Sequence, residues 1–161
     1  MKIAIGSDHA GFEMKEEVRK YMANLGHEVL DLGAYNAEPS DYPDFAEAVG
    51  RALMVGNAER GVLICGSGVG VSVAANKMPG IRAGLCDDTY SAHQGVEHDN
   101  MNILVMGSRI IGSALALDIV SSYLGARFQK DVERFVRRLN KVNAIEARYM
   151  LKPSSGATKS S

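Results

Sequence analysis

The chain has 161 residues and a mass of 17.3 kDa, with 46% hydrophobic and 23% charged residues, which is the size and composition of one globular domain rather than of a disordered chain. The formal net charge is -1, so the chain has no overall basic field that would hold nucleic acid or an anionic membrane. No apolar run reaches the ~18 residues of a membrane span and the N-terminus lacks a signal-peptide core, so we expect a cytoplasmic protein.

Five short apolar runs alternate with stretches of helical periodicity along the chain. The runs are KIAIG at 2–6, HEVLDLG at 27–33, GVLICGSG at 61–68, RAGLCD at 82–87 and NILVMGS at 102–108. Between the first two runs, apolar side chains recur at the spacing of a helix, at Val18, Tyr21, Met22 and Leu25. The alternation predicts βαβ units, and therefore an α/β fold with a three-layer, doubly wound (Rossmann-like), five-stranded parallel sheet.

Two further helices are predicted after the fifth run. Residues 113–128, SALALDIVSSYLGARF, are apolar enough to pack on the sheet, and residues 131–150 form a last amphipathic helix. We expect residues 1–150 to form one domain that ends in this helix. Residues 151–161, LKPSSGATKSS, have no apolar pattern and are predicted to be a flexible tail.

The segment CGSGVG at 65–70 follows the third apolar run and precedes a predicted helix. In an open parallel sheet, ligands bind beyond the carboxyl ends of the strands. Glycines let backbone amides approach an anion, so we interpret the segment as an anion-binding loop, the alternative being a tight turn that needs glycine only for its dihedral angles. The segment matches neither the Walker loop nor the complete dinucleotide fingerprint.

Cys65 stands directly before the glycines of this loop, where amide N–H groups would favour a thiolate. We therefore consider it a base or a nucleophile, with structural burial as the alternative. Cys86, inside the fourth apolar run, is expected to be structural. Two cysteines are too few for a disulfide framework, and no His, Cys, Asp or Glu set has metal-ligand spacing, so no metal is expected.

Histidines and arginines supply the other candidates. His9 follows Asp8 in the loop after the first run, where it is either an anion ligand or an exposed turn residue. His98 lies among polar residues before the fifth run, and an ordinary surface histidine is the alternative to a functional role there. Arg134 and Arg138 are four residues apart on the last helix, which suits a two-pronged grip on a phosphate as well as an ordinary solvated face.

Several ordered segments carry a resemblance to a known family. They are IAIGSDHAGFEMK, SDYPDFA, GVLICGSGVGVSVAANKMPGIRA, YSAHQGVEHDNMNILVMGSRIIG and NAIEAR. Over residues 1–150 the chain resembles the type B ribose-5-phosphate isomerases of the ribose/galactose isomerase family, which also contains galactose-6-phosphate isomerase subunits. The resemblance implies interconversion of D-ribose 5-phosphate and D-ribulose 5-phosphate in the pentose phosphate pathway, without a metal or organic cofactor.

The resemblance also implies roles for individual residues. Cys65 corresponds to the base that moves a proton between C2 and C1, and Ser67 to the hydroxyl that assists at the sugar carbonyl and ring oxygen. His98, offered by a partner subunit, corresponds to the group that helps open the furanose ring, because the sites of this family lie at a dimer interface. We therefore expect a homodimer or a dimer of dimers. Substrate contacts are expected from Asp8, His9, Tyr42, Gly66, Gly68, Val69, Gly70, Asp99, Arg109, Arg134 and Arg138.

Two positions depart from the family pattern. Family members often have Asn directly after the ring-opening His, where this chain has Asp99, and Arg-His where it has Arg134 and Phe135. Arg137 competes with Arg138 for the second phosphate contact. Other functions stay open: an isomerase of allose 6-phosphate or galactose 6-phosphate, a phosphosugar sensor without catalysis, and a redox switch at Cys65, which would lack a resolving thiol.

Overall fold

A five-stranded parallel sheet forms the centre of the computed structural model, which describes residues 1–150. Its strands are β1 (Lys2–Ser7), β2 (Glu28–Asp31), β3 (Arg60–Cys65), β4 (Ala83–Leu85) and β5 (Ile103–Gly107). Their order across the sheet is β2-β1-β3-β5-β4, with every neighbouring pair parallel. The predicted doubly wound parallel sheet is confirmed, whereas the flexible tail predicted at 151–161 lies outside the described residues.

Helices cover both faces of this sheet. They are α1 (Phe12–Asn24), α2 (Tyr42–Met54), α3 (Val69–Ala75), α4 (Thr89–Asp99), α5 (Ser113–Gly125) and α6 (Glu133–Tyr149). Because parallel crossovers are right-handed, the direction of each step along the sheet decides the face on which its helix packs. The steps from β1 to β2 and from β4 to β5 place α1 and α4 on one face, together with α5, and the opposite steps place α2 and α3 on the other.

Each face of the sheet buries its own apolar layer. Along β3, Val62 and Ile64 join the layer under α1, α4 and α5, whereas Leu63 and Cys65 join the layer under α2 and α3. This is the alternation expected of a strand that is covered on both sides. Cys65 is the last residue of the central strand β3. Because of this alternation, its side chain points toward the face covered by α2 and α3.

The two edge strands are shorter than the apolar runs that predicted them. β4 covers only three residues of the run at 82–87. The amide of Asn76 explains part of this, because it accepts from the Ala83 N–H and donates to the Ala83 carbonyl, both at 2.9 Å, as a neighbouring strand would. Within residues 1–150, none of the helices is long and apolar enough to cross a membrane.

Helix α6 packs little of its surface against the rest of the chain. Phe135 is its one buried residue, and Val142 and Ile145 are about half exposed although they are apolar. The helix nearest to this buried ring is α4. The amphipathic pattern seen in the sequence is thus present, but its apolar face is largely uncovered in one copy of the chain.

Candidate active site

The thiol of Cys65 lies under the glycine loop at the carboxyl end of β3. The side chain is 5% exposed, and the Gly68 N–H donates a hydrogen bond to its Sγ atom at 3.1 Å. Gly68 has φ +81°, and a Cβ there would lie 2.5 Å from Leu85 and 3.1 Å from the Met106 backbone, so glycine is required. The turn that glycine permits thus directs an amide donor at the sulfur.

Two side chains from other parts of the fold lie against this loop. A Cβ on Gly66 would lie 3.3 Å from Nη1 of Arg109, and a Cβ on Gly70 would lie 2.9 Å from the ring of Tyr42. The Arg109 N–H also donates to the Gly66 carbonyl at 2.9 Å, which fixes the start of the Arg109 side chain. A guanidinium group and a phenol therefore flank the thiol loop.

The loop after β1 adds a carboxylate and an imidazole at the same edge of the sheet. Oδ1 of buried Asp8 accepts the Gly11 N–H at 3.1 Å. The half-buried His9 is tied to Ser40, whose hydroxyl accepts the His9 N–H at 3.0 Å and whose own N–H lies 3.2 Å from His9 Nδ1. Since Nδ1 is engaged, Nε2 is the ring nitrogen available to a ligand. His9 is thus held in place and is not a freely exposed turn residue.

These residues form one group, which we call the cysteine half-site. It collects at the carboxyl edge because β1, β3 and β5 all end there. Ser67 is exposed at the tip of the loop, with its Oγ accepting the Val69 N–H at 3.3 Å. The members of the cysteine half-site are Asp8, His9, Tyr42, Cys65, Gly66, Ser67, Gly68, Val69, Gly70 and Arg109.

The remaining candidates form a second group, the histidine half-site, which consists of His98, Asp99, Arg134 and Arg138. His98 is in the last turn of α4, and its Nδ1 lies 2.8 Å from Nε2 of Gln94. Its ring stacks on Phe135, with centroids 3.9 Å apart and an interplanar angle of 23°.

The arginines of the histidine half-site are both exposed on α6. The guanidinium carbon of Arg134 lies 4.9 Å from the centroid of the Phe135 ring. Arg137, by contrast, bonds through Nη1 to Oε2 of Glu133 at 2.6 Å. Of the two candidates for the second phosphate contact, Arg138 is therefore the one whose guanidinium is available to a ligand.

Within one chain, the two half-sites lie at opposite ends of the strands. The cysteine half-site is at the carboxyl ends and the histidine half-site is toward the amino ends. Helix α4 runs antiparallel to the strands and ends at Asp99, shortly before β5 begins at Ile103. Ile103 pairs with Gly61, at the start of β3, whereas Cys65 pairs with Gly107. The rise from Gly61 to Cys65 is ~13 Å at about 3.3 Å per residue. The structure thus brings the candidate residues together in two groups and separates His98 from the Cys65 of its own chain.

Sequence reasoning missed two residues that hold these groups. Ser40 binds His9 across 31 positions of sequence, and no local pattern signals this contact. Gln94 stands four residues before His98 on one helix, a spacing that places the two side chains on one face and was available as a signal. Within residues 1–150, no three His, Cys, Asp or Glu side chains are grouped so as to hold a metal ion.

The fold is a doubly wound α/β fold, and its candidate ligand site combines a thiol with an amide-rich loop. The Ribose/Galactose Isomerase family matches residues 3–142, and the chain belongs to this family of isomerases. The resemblance stated from the sequence segments is thereby confirmed.

Individual relatives agree with the family assignment. The chain is 44% identical over 147 residues to ribose-5-phosphate isomerase B of Escherichia coli, which covers 91% of this chain and 97% of that protein. It is 38% identical over 133 residues to a galactose-6-phosphate isomerase subunit of Clostridium acetobutylicum, covering 83% and 77% of the two chains. The solved structure of Clostridium thermocellum ribose-5-phosphate isomerase B matches with a TM-score of 0.90 and 46% identity, covering 92% of this chain and 99% of that one.

Proposed function

We propose that the chain is an aldose–ketose isomerase that interconverts D-ribose 5-phosphate and D-ribulose 5-phosphate. The observation that carries the proposal is the thiol of Cys65 at the end of the central strand, with the Gly68 N–H on its sulfur. The similarity to ribose-5-phosphate isomerase B of Escherichia coli supports the choice of a five-carbon substrate. A cytoplasmic location and independence of metals and organic cofactors stay predictions.

The proposed reaction begins with the opening of the sugar ring. In the furanose form the C1 hydroxyl loses a proton, the bond between C1 and the ring oxygen breaks, and the ring oxygen gains a proton. His98 assists this transfer. The open aldehyde then presents a hydrogen at C2 that is acidic enough for a base, because the neighbouring carbonyl accepts the negative charge.

Cys65 carries out the isomerisation step in this proposal. Its thiolate removes the proton from C2, which leaves an enediolate with negative charge on the C1 oxygen. Backbone N–H groups of residues 66–70 that are not bound to Cys65 or Ser67 stabilise that charge, and loss of one such donor typically costs about 10²–10³ in rate. The Ser67 hydroxyl assists the proton shift from the C2 oxygen to the C1 oxygen, and Cys65 returns the proton to C1 to complete the ketose.

The phosphate is held by groups that take no part in the proton transfers. His9 Nε2, Arg109, Arg134 and Arg138 supply the positive and hydrogen-bonding groups, whereas Asp8, Asp99 and Tyr42 are assigned to sugar hydroxyls. Because His9 and the three arginines bind the phosphate, which does not react, their loss weakens binding more than turnover.

We propose that two copies of the chain build each site. His98 lies toward the end of the strands opposite to Cys65 in its own chain, so a second copy is needed to bring a histidine half-site to a cysteine half-site. The uncovered apolar side chains of α6 supply a surface for this association. A two-fold symmetric pair would exchange half-sites reciprocally and contain two complete sites, either as a homodimer or within a dimer of dimers.

The test is isomerisation of D-ribose 5-phosphate by the purified protein in the presence of a chelator. Cys65→Ser is expected to lower kcat by about 10²–10⁴, the usual contribution of a positioned base. Cys86→Ser is the matched control, because this thiol belongs to the apolar layer on the face of the sheet opposite to that of Cys65, and its loss is expected to leave kcat within twofold. Undiminished turnover by Cys65→Ser would refute the assigned base.

A second candidate substrate class is a six-carbon sugar phosphate, which is supported by the similarity to the galactose-6-phosphate isomerase subunit. Parallel kcat/KM values for ribose 5-phosphate, allose 6-phosphate and galactose 6-phosphate distinguish the candidates. Binding of all three without turnover would instead support a phosphosugar sensor.

A further inference from the structure

The ring of Phe135 occupies an unusual position in the histidine half-site. It is 2% exposed, although it belongs to a helix whose other residues are at least partly exposed. Its face lies on the imidazole of His98 at 3.9 Å, and the Arg134 guanidinium lies 4.9 Å from its centroid. One aromatic side chain thus touches both the proposed ring-opening group and a proposed phosphate ligand.

Two contacts together fix the orientation of the His98 imidazole. Gln94 occupies Nδ1 at 2.8 Å, which sets which edge of the ring faces α4. Phe135 covers one face at an angle of 23°, which prevents rotation of the ring about its bond to the side-chain carbon. With Nδ1 engaged and one face covered, Nε2 is the polar atom left to meet a substrate.

We propose that Phe135 is a positioning residue for ring opening, acting through His98. The inference rests on the proposed function. During ring opening, Nε2 must lie between the C1 hydroxyl that loses a proton and the ring oxygen that gains one. A displacement of a catalytic group by 1 Å can cost about 10² in rate, so a stacked and buried neighbour that holds the imidazole has a direct effect on this step.

Ring opening can be measured apart from the isomerisation step. D-Ribulose 5-phosphate cannot close a furanose ring because its C5 oxygen carries the phosphate. Exchange of its C1 hydrogen with deuterium from D2O therefore reports the action of Cys65 without ring opening. Net conversion of D-ribose 5-phosphate needs both steps. A lower primary isotope effect with 2-deuterio ribose 5-phosphate is a second sign that ring opening has become limiting.

The variant to compare with the wild type is Phe135→Leu, which keeps an apolar side chain but removes the planar ring. We expect kcat for D-ribose 5-phosphate to fall about tenfold, while C1 exchange in ribulose 5-phosphate stays within twofold or the isotope effect falls below the wild-type value. Phe135→His restores a planar ring and is expected to recover kcat to within about threefold of the wild type.

A merely structural role gives a different pattern. If Phe135→Leu keeps kcat within twofold, or lowers net conversion and C1 exchange in the same proportion with an unchanged isotope effect, the inference is overturned. Unfolding midpoints and oligomeric state are measured for both variants, because a loss of folded dimer lowers both rates equally. An inactive wild-type protein would instead contradict the proposed function itself.

Discussion

The ammonium group of Lys15 lies 2.8 Å from Oδ1 and 2.9 Å from Oδ2 of Asp31, and the Lys15 side chain is completely buried. Asp31 is the last residue of β2, and its Oδ1 also accepts the Gly33 N–H at 3.0 Å. The ion pair therefore fixes the start of the connection that later carries Ser40, the partner of His9.

Removal of one charge from this pair is expected to destabilise the fold. In Asp31→Asn the buried ammonium keeps Glu16, at 3.1 Å, as its carboxylate partner and the rings of Phe12 and Tyr35 nearby, so we expect the free energy of unfolding to fall by ~1–3 kcal/mol. Urea denaturation measures the change. The double variant Lys15→Met with Asp31→Asn contains no buried unpaired charge and is expected to lose less. A single variant as stable as the wild type would contradict this account.

Complementation between two inactive variants tests whether the sites are shared. Cys65→Ser and His98→Asn are each expected to be nearly inactive alone. Co-expressed, they form mixed pairs in which one of two sites has both native residues, so activity is expected to recover to about 25% of the wild type when half of the pairs are mixed. No recovery in a sample proven to contain mixed pairs would place both residues in the site of one chain.

Arg138 and Arg137 are neighbours on α6, so substitutions at the two positions test phosphate binding with a matched control. Arg138→Met is expected to raise KM for the sugar phosphate about 10- to 100-fold, which is the loss of one charge-assisted hydrogen bond. Arg137→Met removes a cation that is already paired with Glu133, so its KM is expected to stay within threefold. Steady-state kinetics at fixed ionic strength measures both, and equal effects would contradict the assignment.

A substitution at Gly107 tests the close approach between β5 and the glycine loop at 65–70. A Cβ there would lie 2.6 Å from the backbone of Ser67, so Gly107→Ala must displace the loop. We expect a loss of ~1–3 kcal/mol in unfolding free energy together with a lower kcat. Gly112→Ala is the control, because a Cβ at Gly112 has no neighbour within 4 Å and its φ is -83°. The control is expected to leave kcat unchanged and to lower the unfolding free energy by less than ~1 kcal/mol, because alanine is a poorer N-cap of α5 than glycine.

The thiol of Cys86 is expected to react slowly with alkylating reagents. Burial, with smaller contributions from the charges of Asp88 and Asp87, raises its pKa from 9.0 to about 11. In the Cys65→Ser protein, alkylation of Cys86 at pH 8 is therefore expected to be about 10²-fold slower than that of a small free thiol, and to rise tenfold per pH unit until close to pH 11. A labelling midpoint below pH 9 in the folded protein would contradict the shift.

The fold can be predicted from local patterns in the sequence, whereas the candidate site can be predicted only in part. Apolar runs and helical spacing determine βαβ units, and the carboxyl ends of parallel strands share one edge, so the grouping of Asp8, Cys65 and Arg109 follows from the chain order. The tie between His9 and Ser40 has no such rule. The stacking of Phe135 on His98 likewise depends on how α6 packs against α4, which no periodicity specifies.

The amide of Asn76 also limits how copies of the chain can join. Because it already bonds both backbone groups of Ala83, the outer edge of β4 offers little template for a further strand. Fibril-like stacking and strand exchange at this edge are thereby disfavoured. In the proposed dimer, the two chains would instead join through helical surfaces such as α6, and one contact would then complete both proposed sites.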